Sequence, residues 1–157
     1  CLEGNRPLLV EMQALVARTP YGMPRRTAVG FDYNRVNMLL AILEKRLGMD
    51  FGTQDVYVNV VGGARVTEPA ADLAVIAAIV SSYRNKPVMP GILAVGEVGL
   101  TGEVRRVGFV ERRIKEAQNL GFQKFVAPTG NLSAKSLPTG IIQVNTVEEA
   151  LAAFFEK

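Results

Sequence analysis

Histidine and tryptophan are absent from this 157-residue sequence, and cysteine occurs once, as Cys1. Without histidine, a Ser-His-Asp or Cys-His catalytic triad cannot be assembled, and a zinc site of the Cys/His type lacks part of its ligands. A lone cysteine cannot form a disulfide within the chain, which suits a reducing cytosol and leads us to expect a cytoplasmic protein. The remaining chemistry is that of Asp, Glu, Lys, Arg, Ser and Thr.

Two further absences narrow the possible functions. No Gly-x-x-x-x-Gly-Lys-Ser/Thr or Gly-x-Gly-x-x-Gly motif occurs, so a nucleotide site has no support within these residues. Gly96, Gly99 and Gly102 are instead typical of a tight hairpin turn. The longest apolar stretch, 73–80, is far shorter than the roughly 20 residues that a membrane-crossing helix needs, so we expect no membrane partner.

The composition is that of a folded domain. Hydrophobic residues make up 48% of the chain and charged residues 21%, a mixture too apolar for a disordered segment. The chain begins without an initiator Met, a basic leader or a cleavage-site pattern. We therefore expect one domain over residues 1–157 that is a piece of a longer protein.

The spacing of apolar residues predicts alternating strands and helices. Strands are predicted over 7–17, 25–30, 55–61, 92–98, 103–107, 124–127 and 141–144, and helices over 32–47, 70–83, 110–120 and 146–155. The first two strands are expected to pair as a hairpin, and so are the fourth and fifth. The pattern indicates an α/β (α+β) domain with a mixed sheet and packed helices.

The basic residues are unevenly distributed. Eighteen Lys and Arg face 15 Asp and Glu, for a net charge of +3. The densest cluster lies where a predicted strand leads into a helix, and its members are Arg105, Arg106, Arg112, Arg113 and Lys115. A smaller pair, Arg25 and Arg26, lies at the start of an earlier predicted strand. Such side chains bind phosphates through charge-assisted hydrogen bonds. On charge alone, a solvated face with Glu111–Lys115 and Arg112–Glu116 ion pairs explains the cluster more simply.

Four segments, in order, resemble one known family. They are EGNRPLLVEMQALV, GFDYNRVNMLLAILEKRLG, GGARVTEPAADLAV and GEVGLTGEVRRVGFVERRIKEA. Together they resemble the C-terminal domain of the RadA (Sms) family of bacterial DNA repair and recombination proteins, over essentially the whole chain. That domain is in turn similar to the proteolytic domain of the Lon ATP-dependent protease, so the resemblance implies a Lon-like fold.

The Lon similarity also identifies two positions. Lon-type peptidases carry a serine nucleophile in a P-S-A-G segment and a lysine base in a G-G-L-K segment. Ala70 stands at the serine position, within 69–72, and Glu111 stands at the lysine position, within 108–111. A methyl group cannot attack a carbonyl, so the resemblance implies a degenerate dyad and no enzyme activity in this fragment.

The RadA resemblance implies a role in DNA repair. It implies a parent protein that is a DNA-dependent ATPase and helicase, a branch-migration motor assembled as a hexameric ring. This domain would support ring assembly and bind single- or double-stranded DNA without sequence preference, through the seven basic residues named above. ATP with Mg²⁺ and zinc are expected in missing N-terminal parts, with no cofactor or metal in this fragment. Two alternatives stay open: an active Lon-type Ser-Lys peptidase, and a purely structural oligomerisation domain.

Overall fold

The computed structural model describes residues 1–155 and consists of short strands and four helices. The strands are β1 Leu2–Glu3, β2 Arg6–Pro7, β3 Met12–Arg18, β4 Arg26–Val29, β5 Gln54–Val60, β6 Ile92–Ala94, β7 Glu97–Val98, β8 Val104–Arg105, β9 Lys124–Pro128 and β10 Ile141–Val144. The helices are α1 Tyr33–Leu47, α2 Asp72–Arg84, α3 Val110–Asn119 and α4 Val147–Phe154, with 3₁₀ turns at Val61–Gly63, Pro69–Ala71 and Ala134–Ser136. The predicted mixed α/β class is confirmed.

Two three-stranded sheets form the framework. In the first, with strand order β3-β5-β4, β5 lies in the centre, antiparallel to β3 and parallel to β4. In the second, β9 lies between β10 and β6 and is parallel to both. The predicted hairpin between the first two strands is therefore wrong. Because α1 returns the chain beside β4, β5 inserts between β3 and β4 and pairs with both.

The helix ends follow from local sequence. The Asp32 carboxylate accepts a hydrogen bond from the backbone N–H of Arg35 at 2.7 Å, which caps α1. Gly48 ends the same helix in the left-handed conformation, φ 63°, that glycine adopts without strain. Thr146 caps α4 by accepting from the N–H of Glu149. These ends confirm the predicted boundaries of both helices.

The second predicted hairpin forms in a shorter version. Val98 pairs with Val104 and Glu97 with Arg105, and the turn is closed by the Gly99 N–H, which donates to the Glu103 carbonyl at 2.9 Å. Gly96 serves another purpose, because a Cβ atom there would lie 2.7 Å from a Leu73 methyl carbon. Because of this close approach, the segment between β6 and β7 packs directly on α2, and the hairpin that follows lies against that helix.

The hydrophobic core has two parts. The larger part joins α1, α2 and α4 to both sheets, and α2 contributes Leu73, Ile76 and Ile79, which are fully buried. The smaller part lies between α3 and β9 and contains Ile114 and Phe125. Helix α3 is thus held by its own apolar contacts, while its outer face carries Arg112 and Lys115.

Candidate functional site

The 3₁₀ turn Pro69–Ala71 holds the position that matches the peptidase serine. Ala70 is 5% exposed, and its carbonyl accepts a hydrogen bond from the N–H of Gly96 at 2.9 Å. It lines a cavity of about 50 Å³ together with apolar residues and Arg113. That volume holds a few water molecules and is far below the roughly 300 to 1,000 Å³ of a small-molecule pocket.

Glu111, at the position that matches the peptidase lysine, lies elsewhere. Its side chain is exposed in the first turn of α3 and does not line the cavity beside Ala70. The basic side chain of α3 that does reach this cavity is Arg113. The structure therefore does not bring positions 70 and 111 to one pocket.

Arg113 is buried and forms an ion pair with the partly exposed Glu68. The guanidinium donates from Nη1 and Nη2 to the two carboxylate oxygens at 2.9 and 2.8 Å, and from Nε to the Gly108 carbonyl at 2.9 Å. Only 6% of the Arg113 side chain is exposed. Burial acts to raise the pKa of Glu68, but nearby positive charge, chiefly the Arg113 guanidinium, together with the Leu2 N–H holds that pKa below its ordinary value. This pair joins α3 to the segment that precedes α2.

A second ion pair joins α1, α2 and the hairpin. Asp72 is fully buried and accepts two hydrogen bonds from Arg35, one of them from Nε at 2.6 Å. It also accepts from the N–H of Val98 at 2.9 Å. Burial raises the pKa of Asp72, while these donors favour its charged form. Glu97 lies 3.8 Å from the Arg35 guanidinium and 4.0 Å from that of Arg105, which extends the network to the surface.

The other basic residues of the cluster point outward. Arg105 is 56% exposed and donates to Glu103 at 2.8 Å, so its charge is partly neutralised. Arg106 lies against Gly130, where a Cβ atom would come within 2.6 Å of its guanidinium. Arg112 lies over the Phe109 ring, 5.5 Å from its centroid, and Lys115 is exposed one turn further.

The intrahelical pairs suggested by spacing are not formed. Among residues 1–155, the ion pairs within 4.0 Å include neither Glu111 with Lys115 nor Arg112 with Glu116. Within the same range, Arg106 also lacks a carboxylate partner at that distance. Three cations of this segment are therefore open to an external anion.

The pair at 25 and 26 lies on another element. Arg25 is exposed at the start of β4, and its backbone N–H donates to Asp55 at 2.7 Å. The Arg26 guanidinium donates to the Phe51 carbonyl at 2.7 Å and to the Gln54 carbonyl. Arg26 thus stabilises the loop before β5, and the pair belongs to a different sheet from the hairpin that carries Arg105.

Reasoning from the sequence missed the two buried ion pairs. A signal for Arg113 was present, because it falls at the same helical spacing as Val110, Ile114 and Ala117 and so shares their buried face. Asp72 carried a similar signal as the single charge in an otherwise apolar stretch of α2. Nothing in the sequence indicated their partners Glu68 and Arg35, which come from distant segments.

Two other kinds of site are not found in the described part of the chain. Within residues 1–155, no group of three or more His, Cys, Asp or Glu side chains is arranged to hold a metal ion. No helix in that range combines the length and apolar character needed to cross a membrane. The zinc and ATP sites that the resemblance implies stay a prediction about residues outside this chain.

Sequence comparisons connect these features with known proteins. Relatives named DNA repair protein RadA from Halalkalibacterium halodurans and Bacillus subtilis are 50% and 51% identical over 152 residues, which is 96% of this chain and 33% of each relative. The protein of the same name from Streptococcus pneumoniae is 48% identical over 156 residues, 98% of this chain and 37% of the relative. The chain thus spans about a third of the length of these relatives.

A family model covers most of the same region. The model described as "ChlI: Subunit ChlI of Mg-chelatase" matches residues 13–131. The match runs from β3 through β9 and includes both buried ion pairs and the basic segment of α3. Because it extends over well more than half of the chain, the chain belongs to this ChlI family.

Proposed function

We propose that this chain is a non-peptidase domain of a cytoplasmic DNA repair and recombination protein, and that it binds DNA without sequence preference. The observation that carries the proposal is an identity of about 50% along nearly the whole chain to relatives named DNA repair protein RadA. The exposed cations around α3 supply a surface of suitable chemistry, because contacts between Arg or Lys and phosphate are independent of base sequence.

The proposed DNA surface contains fewer residues than the seven basic residues predicted from the sequence. Arg113 is buried against Glu68, and the Arg26 guanidinium is occupied by two backbone carbonyls. We therefore assign the phosphate contacts to the exposed members of the set: Arg105, Arg106, Arg112 and Lys115, with Arg25 on the separate β4 surface.

A pair of charge-matched variants tests this surface. Arg106→Glu/Arg112→Glu/Lys115→Glu reverses three cations of the surface, and Arg18→Glu/Lys45→Glu/Lys135→Glu reverses three exposed cations elsewhere. In fluorescence anisotropy with a labelled oligonucleotide at low salt, we expect the first variant to lose at least about tenfold in affinity and the second less than about threefold. Equal losses would contradict the choice of surface, and a wild-type chain that binds no DNA would contradict the DNA-binding proposal itself.

Ring assembly is the second part of the proposal. We propose that the parent protein forms a hexameric ring and that its ATP, Mg²⁺ and zinc are bound outside this chain. Several large apolar side chains are exposed and supply surface for contacts between subunits, among them Tyr21 at 91%, Met23 at 87% and Leu15 at 57% exposure. Sedimentation velocity would show a ring in solution. A purely structural domain would sediment in the same way but would not bind DNA.

The peptidase alternative has little support in the geometry. Ala70 offers no nucleophile, and Glu111 lies outside the cavity that Ala70 lines. We expect neither the wild-type chain nor the Ala70→Ser/Glu111→Lys variant to cleave fluorescein-labelled casein. Cleavage by the wild-type chain would overturn the assignment as a non-peptidase domain.

A further inference from the structure

Phe109 has a backbone conformation that its side chain does not favour. It precedes α3 with φ 60° and ψ 32°, in the left-handed region. Among residues 1–155, Asn85 is the other non-glycine residue with positive φ, and asparagine tolerates this region far better than an aromatic residue. Glycine would hold the same backbone without strain. The fold therefore does not require a phenyl ring at this position.

The ring lies on the surface, in a basic segment of the chain, rather than in the core. Phe109 is 56% exposed, and the Arg112 guanidinium lies over the ring at 5.5 Å from its centroid. Arg105 and Arg106 precede it by four and three residues, and both are exposed. An exposed aromatic ring within a basic segment is the combination with which proteins bind single-stranded nucleic acid without sequence preference.

We propose that Phe109 and Arg112 form a stacking platform for an unpaired base, with Arg105 and Arg106 holding the adjoining phosphates. The inference rests on the proposed DNA-binding function and adds to it a preference for single strands. Bases in a duplex are already stacked on their neighbours and cannot lie on the ring without being displaced. The platform thus increases affinity for single strands, while the cations act on both forms of DNA.

A second copy of the chain is the alternative occupant of this surface, because Phe and Arg are also common in protein interfaces. Leu100, another large exposed apolar side chain, lies at the turn of the β7–β8 hairpin and supplies a matched control. If Phe109 bound another subunit, its loss would change the oligomeric state rather than the affinity for DNA.

Three substitutions at 109 separate stacking from apolar contact. Phe109→Gly removes the ring and relieves the backbone, Phe109→Leu keeps apolar bulk, and Phe109→Trp keeps an aromatic face. The readout is anisotropy of the whole chain with labelled oligo(dT) and with a labelled blunt duplex. We expect the Phe109→Gly and Phe109→Leu variants to bind oligo(dT) at least about fivefold more weakly than the wild type, while their affinity for the duplex changes less than about twofold. The Trp variant and a Leu100→Ala control should bind like the wild type.

The Trp variant also reports the contact directly. The chain contains no tryptophan, so a tryptophan at 109 is the sole indole fluorophore. Stacking against a base should quench its emission when oligo(dT) is added, and the duplex should cause a smaller change. Unchanged emission on saturation with oligo(dT) would contradict the platform.

The possible failures are distinguishable from one another. If Phe109→Gly binds oligo(dT) like the wild type while the Arg106/Arg112/Lys115 reversal variant does not, the platform is wrong and the DNA-binding surface stands. Stacking is also contradicted if Phe109→Leu binds oligo(dT) with wild-type affinity. The same holds if Phe109→Gly loses equal affinity for oligo(dT) and for the duplex. If Phe109→Gly changes the sedimentation coefficient but not the DNA affinity, the Phe109 side chain contacts another subunit instead of DNA. If the wild-type chain binds neither oligo(dT) nor the duplex, both the stacking platform and the proposed DNA-binding function are wrong.

Discussion

Arg112 and Arg113 are adjacent in sequence but have opposite environments. A helical step of 100° turns Arg113 toward Ile114 and the smaller core, while Arg112 lies outside over Phe109. The buried guanidinium is stable there because three hydrogen bonds, two of them to the Glu68 carboxylate, replace its hydration. The two arginines therefore contribute to different properties, one to folding and the other to the outer surface.

A paired substitution tests this division. Arg113→Met is expected to lower the free energy of unfolding by about 1 to 2 kcal/mol, because it removes three hydrogen bonds of a buried guanidinium and leaves the partly exposed Glu68 carboxylate without that partner. Arg112→Met, at the exposed neighbour, should change it by less than about 0.5 kcal/mol. Urea denaturation followed by circular dichroism measures both values. Equal destabilisation of the two variants would show that Arg113 is not the structural residue.

At the scale of elements, local signals were sufficient for the helices but not for strand pairing. Asp32, Gly48 and Thr146 are local capping residues, so the ends of α1 and α4 could be predicted. The partner of β4 depends on how α1 packs, and that contact is not encoded between neighbouring residues. Likewise, Arg35 and Asp72 are 37 residues apart, and their pairing depends on the relative positions of two helices. Spacing can identify a buried charge, but its partner is set by tertiary packing.

The β7–β8 hairpin contains a carboxylate that stabilises its own turn. Glu103 accepts hydrogen bonds from the Thr101 hydroxyl, from backbone N–H and from Arg105, and these lower its pKa to about 2. Since the folded pKa lies below the ordinary value of 4.5, its contribution to stability is present above pH 4.5. That contribution is lost as the pH falls from 4.5 through about 2.

We expect the stability difference between the wild type and Glu103→Gln to be largest at neutral pH and to shrink below pH 4.5. Urea midpoints at pH 7, 3.5 and 2 measure this difference. Thr101→Val should raise the pKa of Glu103, because it removes the hydroxyl that donates to the carboxylate. Thr101→Ser keeps that hydroxyl and should leave the pKa of Glu103 near 2. The carboxyl ¹³C chemical shift, measured by NMR across the pH range, gives the pKa in each variant. A difference that does not vary with pH would contradict this role of Glu103.

The entry into β10 depends on a glycine in close contact with β9. Gly140 has φ +85°, and a Cβ atom there would lie 1.9 Å from the Gln123 carbonyl oxygen. Gly121 has a similar φ of +95° but open space around it. Gly121→Ala is therefore expected to cost about 1 kcal/mol of unfolding free energy from backbone strain alone, and Gly140→Ala at least about 3 kcal/mol. Similar melting temperatures for the two variants would contradict the close approach.

On the scale of the whole molecule, the buried ion pairs hold the surface elements in place. Arg35–Asp72 fixes the hairpin to α1 and α2, and Glu68–Arg113 fixes α3 to the start of α2. The hairpin and α3 are the elements that present the exposed arginines. We propose that this chain uses the scaffold to position cations on its exterior rather than a nucleophile in a pocket.

The salt dependence of DNA binding tests the central claim most directly. Each phosphate neutralised on a single strand contributes about −0.7 to the slope of log K against log salt concentration. The Arg106→Glu/Arg112→Glu/Lys115→Glu variant should therefore have a slope shallower than the wild type by about 2, and the Arg18→Glu/Lys45→Glu/Lys135→Glu control should keep the wild-type slope. Equal slopes for the wild type and the first variant would show that DNA, if bound, lies on another surface.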